Sequence, residues 1–127
     1  MPVVIPRGPA PDADPRLAQI VGALEAYLAD HPGAVAEAYS QGKYIIRVRV
    51  TDPAFAGMTD RDRTRAVFDY IWRVPPDVAA DVTFLVPVAP GEKPTRSSRK
   101  FDHPPTYDDP PPRPVRAANG QPAAAGS

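Results

Sequence analysis

Residues 43–74 read K-Y-I-I-R-V-R-V-T-D-P-A-F-A-G-M-T-D-R-D-R-T-R-A-V-F-D-Y-I-W-R-V, and within them the hydrophobic period changes from two to 3.6. Over Lys43–Thr51 the pattern alternates. Tyr44, Ile46, Val48 and Val50 fall on one side of a strand; Ile45, Arg47, Arg49 and Thr51 fall on the other. Asp52-Pro53 closes the strand, and a short loop carries Phe55 and Gly57. Thr59 with Asp62 three residues later fits a capping box in which aspartate replaces the usual glutamate. The helix it opens is predicted to run to about Val74, where Pro75-Pro76 stops it. Upstream, Val35–Ser40 reads as a weaker strand joined to the first through a tight turn at Gln41-Gly42. Before it, Asp14-Pro15 has the form of an N-cap with proline at the first helical position. Leu17, Ile20, Val21, Leu24 and Leu28 then recur at helical spacing until His31-Pro32-Gly33 ends the helix. Downstream, Asp77 caps one further turn and Val82–Val88 is a buried third strand. The predicted order is α-β-β-α-α-β, an α+β class with helices on one face of a small three-stranded sheet.

The flanks have a different composition. Of 19 prolines in 127 residues, five lie in residues 1–15 and ten in 87–127, leaving four in between. Residues 1–15 are predicted to be an extended, disordered arm, 16–90 the folded domain and 91–127 a disordered Pro/Ala-rich tail, since the tail lacks the apolar periodicity that offsets ordering entropy. Fifteen basic and fifteen acidic residues cancel, so no global field draws the chain to nucleic acid or membrane. Cysteine is absent, which excludes disulfides, thiolate metal sites and cysteine nucleophiles. No apolar run reaches the length of a signal-peptide core or a membrane span. The expectation is a soluble cytoplasmic protein.

From Thr51 to Phe68 the sequence resembles the BolA family, stress-response regulators whose loop and helix carry F-x-G followed by R-H-R-x-V/I-Y. Phe55 and Gly57 match the first part, and Arg63, Arg65, Val67 and Phe68 the second. Pro90 and Glu92 match a P-x-E after the last strand. The resemblance spans roughly Leu17–Glu92 and implies the BolA fold, a relative of the KH fold. It also implies a partner, because BolA proteins share a [2Fe-2S] cluster with monothiol glutaredoxins through histidine or cysteine ligands. Here the central histidine of R-H-R is Thr64, the histidine of the last strand aligns with Thr83, and the ligand-bearing loop is cut to Ser40-Gln41-Gly42-Lys43. A threonine hydroxyl is a poor iron ligand. The cluster role is therefore not carried over, the glutaredoxin partnership is disfavoured, and no metal or cofactor is expected.

On a helical wheel of about 100° per residue, Val67, Tyr70, Ile71 and Val74 point toward the sheet. Arg61, Arg65, Phe68 and Trp72 share a neighbouring face. Guanidiniums beside aromatic rings suit single-stranded nucleic acid, meeting phosphates and bases respectively, or an acidic partner; Arg63 on the same helix and Arg47 and Arg49 on the sheet add charge. The competing reading is an ordinary solvated helix, with Arg65–Asp69 as an i,i+4 pair and Phe68 and Trp72 packed under the first helix. Residues 16–86 hold eight basic and nine acidic side chains, which leaves no net basic footprint. A G-x-x-G clamp of the KH type is also missing. No serine has a base fixed beside it, as an activated nucleophile needs, and the clustered aspartates suit caps and ion pairs, so the chain is expected not to be an enzyme. The expected function is a regulatory or binding module contacting nucleic acid or a protein through the second helix. The alternative is an adaptor using the tail, where Pro104-Pro105-Thr106-Tyr107 and Pro111-Pro112-Arg113-Pro114 match polyproline-ligand patterns.

Overall fold

The computed structural model describes residues 3–42 and 45–104. The element order follows the sequence pattern: α1 (Pro15–Asp30), β1 (Val35–Ser40), β2 (Ile46–Thr51), α2 (Asp60–Ile71), α3 (Pro76–Ala79) and β3 (Val82–Val88), with a further helix, α4 (Arg96–Asp102). The caps are those the sequence supplies. Asp14 accepts from Leu17 N–H at 3.1 Å and Thr59 from Asp62 N–H at 3.2 Å, each satisfying a donor that the first helical turn leaves unpaired. Helix α2 ends at Ile71, three residues short of the predicted Val74; Arg73 and Val74 N–H instead donate to the carbonyls of Tyr70 and Ile71 three residues back, the tighter turn that closes a helix end.

The sheet order is β1-β2-β3. β1 and β2 are antiparallel, from Val35↔Thr51 to Ser40↔Ile46, while β2 and β3 are parallel and joined by the α2–α3 crossover. Helices α1 and α2 cover one face. Leu17, Ile20, Leu24, Tyr27, Val67 and Ile71 there meet Ile46, Val48 and Val50, which the alternation had placed together on one side of β2. Phe55 joins this core, and Gly57 follows at φ +81°. That backbone region favours glycine. Asp52 is buried beneath them, accepting from the Tyr27 hydroxyl and from Ala54 N–H at 2.9 Å. Burial raises the pKa of Tyr27, and the Asp52 carboxylate raises it further.

Both flanks correct the sequence reading. The stretch read as a disordered tail from 91 onward contains α4, which lies on the opposite sheet face. There Phe101 packs with Tyr39 and Val86, bordered by Phe84 and Val88. A seven-residue helix has no room for a periodic stripe, so one aromatic anchor and polar contacts with the sheet hold it instead. The arm read as disordered over 1–15 is also docked within its described part. Val4 N–H donates to Ala36 C=O at 2.9 Å and Val4 C=O accepts from Ala38 N–H at 3.0 Å, so the arm shields the β1 edge from foreign strands. Lys43, Tyr44 and the tail motifs beyond Pro104 lie outside the described residues. No helix among the described residues is long and apolar enough to cross a membrane.

Candidate functional site

The outward face of α2 carries four of the seven predicted site residues. Arg61 and Arg65 are exposed, Phe68 is half-buried against the core, and Trp72, at the C-cap, is 58% exposed. The Phe68 and Trp72 rings are tilted at 36° with centroids 5.9 Å apart. Phe68 roots the pair in the protein, and Trp72 presents its indole to solvent. The alternative, both rings packed under α1, therefore holds only for Phe68. Among the described residues neither Arg61 nor Arg65 forms an ion pair; the i,i+4 bridge from Arg65 to Asp69 is not made. Next to this face Tyr70 donates to Asp30 at 2.5 Å and Arg73 lies 4.0 Å above the Tyr70 ring, tying the end of α2 to the end of α1.

Arg63 is not part of that surface. Its side chain turns inward, where Nε donates to Met58 C=O at 3.1 Å and the two terminal nitrogens bind Glu92 at 2.8 Å each. Glu92 also accepts from Ala89 N–H at 2.9 Å. The guanidinium, then this amide, hold the Glu92 carboxyl down to about 2. The pair pins the loop after β3 against α2, so Arg63 lies 7% exposed inside the fold and not on the outward face with Arg61 and Arg65. Wheel spacing held the signal, because Arg63 sits four residues before Val67, on the inward row. Phe55, Arg63 and Glu92, one residue from each of the three short motifs, thus meet in one place, Arg63 lying 5.8 Å over the Phe55 ring while gripping Glu92.

Arg47 and Arg49 are equally withdrawn. They lie on the sheet face opposite α2, so the predicted joint surface does not form. Arg47 is 5% exposed, donating to Gln41 at 2.7 Å and lying 4.7 Å over the Phe84 ring. Arg49 pairs with Glu37 at 2.6 Å and with Asp102 at 3.0 Å, donates to Ser98 at 3.2 Å and rests 4.5 Å over the Phe101 ring. Its pKa is raised, chiefly by Glu37 and then by Asp102, against the opposing effect of burial. Reading the sequence missed α4 and with it the cover over this face. Phe101 six residues after the capping Thr95 was the available signal.

Thr64 lines a groove of about 530 Å³ between α2 and β3, with Leu85, Pro87 and Lys93 among its walls, and Thr83 is exposed on β3. Among the described residues no group of three or more His, Asp or Glu side chains could hold a metal ion. Comparison with protein-family models, with curated proteins and with solved structures finds no match to this chain.

Proposed function

We propose that this chain is a non-enzymatic, BolA-like binding module that docks a protein partner through the outward face of α2. The observation that carries the reading is Trp72, a large ring 58% exposed on a base of Phe68, beside two arginines with no ion-pair partner among the described residues. Trp and Arg supply most of the energy at protein interfaces when they enter desolvated pockets, and a ring already rooted by its neighbour loses little freedom on binding. Support for the family reading comes from the element order and from the meeting of Phe55, Arg63 and Glu92. The glutaredoxin cluster role is not proposed, since threonines stand at the ligand positions. A second reading, single-stranded nucleic acid on the same face, is favoured by Arg61 and Arg65, which form no ion pair among the described residues, and opposed by Asp62 and Asp69 on the flank of the face.

The test compares immobilised full-length chain with Trp72→Ala and with Arg61→Ala/Arg65→Ala. Trp72 is exposed, so its removal changes stability by no more than about 0.5 kcal/mol. Proteins retained by the native chain and lost from both variants support the protein reading; identical retention by all three overturns it. Titrating a labelled oligonucleotide at two salt concentrations separates the readings, because phosphate contacts weaken steeply with salt.

A further inference from the structure

The sheet face under α4 has an unusual composition. Across the three strands Tyr39 stands opposite Arg47 and Arg47 opposite Phe84; in the adjacent row Glu37, Arg49 and Val86 are aligned. Arg7 reaches over the Tyr39 ring at 5.4 Å. Two aromatic rings and three guanidiniums therefore share a face whose described sheet residues include one carboxylate, Glu37. Rings on a sheet with arginines beside them are the elements by which proteins stack unpaired bases and hold phosphates.

What α4 places on this face is equally specific. The Phe101 ring packs edge-on to Tyr39 with centroids 5.0 Å apart and lies 4.5 Å from the Arg49 guanidinium. The next residue, Asp102, sets a carboxylate 3.0 Å from the same guanidinium. Backbone carbonyls complete the attachment, Phe101 C=O accepting from the Tyr39 hydroxyl at 2.7 Å and Asp102 C=O from Arg7 at 2.6 Å. A flat ring against an arginine and a tyrosine, with an anion on that arginine, is what one nucleotide would offer through its base and its phosphate. The other contacts of the helix are slight, since five of its seven residues are exposed and only Ser98 and Phe101 are buried.

We propose that the sheet face beneath α4 is a binding face for single-stranded nucleic acid, occupied in this structure by the chain's own Phe101-Asp102 pair. Helix α4 is then a self-ligand. Strand binding and α4 docking exclude one another, and apparent affinity is lowered by the fraction of molecules in which α4 is docked. The surface differs from the outward face of α2, and the proposal does not depend on that reading.

The experiment uses the full chain, a labelled twelve-nucleotide oligouridine and fluorescence anisotropy, with two opening variants. Phe101→Ala removes the ring. Asp102→Arg leaves every buried side chain in place and sets a cation against Arg49. Both are expected to bind at least about tenfold more tightly than the native chain. Adding Arg49→Gln to Asp102→Arg is expected to return affinity to the native level, and adding Trp72→Ala to change nothing. On the native chain, saturating oligonucleotide is expected to shift amide resonances of β1, β2, β3 and α4 together. If neither variant gains affinity and these native-chain resonances stay still, the proposal is overturned. Affinity lost with Trp72 rather than Arg49 would place the strand on α2 and overturn it too. Dimerisation of the variants without oligonucleotide binding would assign the face to the α4 of a second copy.

Discussion

Phe101 and Phe55 are both 1% exposed, yet replacing them with alanine should have unequal consequences. Phe55 sits in the main core, closed in by α1, α2 and the loop that leads into α2, and nothing there can move away. Phe55→Ala should cost the full value for an aromatic deletion in a packed interior, about 3–5 kcal/mol. Phe101 anchors a seven-residue helix bound by few other groups. If the cavity left in Phe101→Ala costs more than α4 gains by docking, the helix lifts off and the cavity is never populated. The penalty is thereby capped near the burial energy of the ring itself, about 1.5–3 kcal/mol. Urea unfolding followed by circular dichroism gives both numbers. Limited trypsin digestion gives the mechanism, because Arg96, Arg99 and Lys100 all lie on α4. In Phe101→Ala these sites should be cut well before the remainder of the domain. Equal destabilisation by the two substitutions, with α4 still protected, would refute the idea of a weakly held strap.

The Glu92 carboxyl is held in the folded state at about 2, below its ordinary value. Its contribution is therefore fully present above its unfolded pKa, near 4.5, and is lost as pH falls toward about 2. Melting temperatures of the native chain should drop over that window more than those of Glu92→Gln; parallel curves would remove Arg63–Glu92 as an acid-sensitive clamp. At Gly57 a Cβ would meet nothing within 4 Å, but the backbone has φ +81°. Gly57→Ala is thus expected to cost about 1–2 kcal/mol through conformation alone, and thermal unfolding within error of the native chain would contradict that.

The elements that the sequence revealed are those whose cause is local or periodic. The stripe from Leu17 to Leu28 in α1, the alternation about Val48 and Val50 in β2 and the Thr59 cap of α2 each repeat a signal across several residues, and each appears where expected. Elements held by contacts with residues distant in the chain were not legible. Helix α4 is fixed by Phe101 against Tyr39, 62 residues earlier in the chain, and the Val4 bridge depends on β1 being in place first. The candidate site divides along the same line. Arg61, Arg65, Phe68 and Trp72 share a helical face by spacing alone. Arg47 and Arg49 were correctly assigned to one strand face, but no local feature indicates that a helix nearly fifty residues later would cover it.

Charge sorting explains why a chain with no net charge can still carry locally unbalanced surfaces. Arg63 and Arg49 are bound into carboxylate pairs with Glu92, Glu37 and Asp102, and Arg16 pairs with Asp77 and Asp81. These pairs fasten loops and helices to the sheet, and they engage five carboxylates with three arginines, so more acidic than basic charge is drawn into them. On α2 the neutralising partners, Asp62 and Asp69, lie to one side and make no ion pair with Arg61 or Arg65. The field that results is local and decays within a Debye length of about 8 Å at physiological salt. Such a field cannot steer a distant polyanion; under the proposed docking role it would act only on a partner already in contact with α2. Beneath α4 the balance is conditional, because one of the two carboxylates on Arg49 belongs to a helix that can leave. Substituting Asp102 should therefore alter binding at the sheet face while leaving α2 unchanged, and substituting Trp72 should do the reverse.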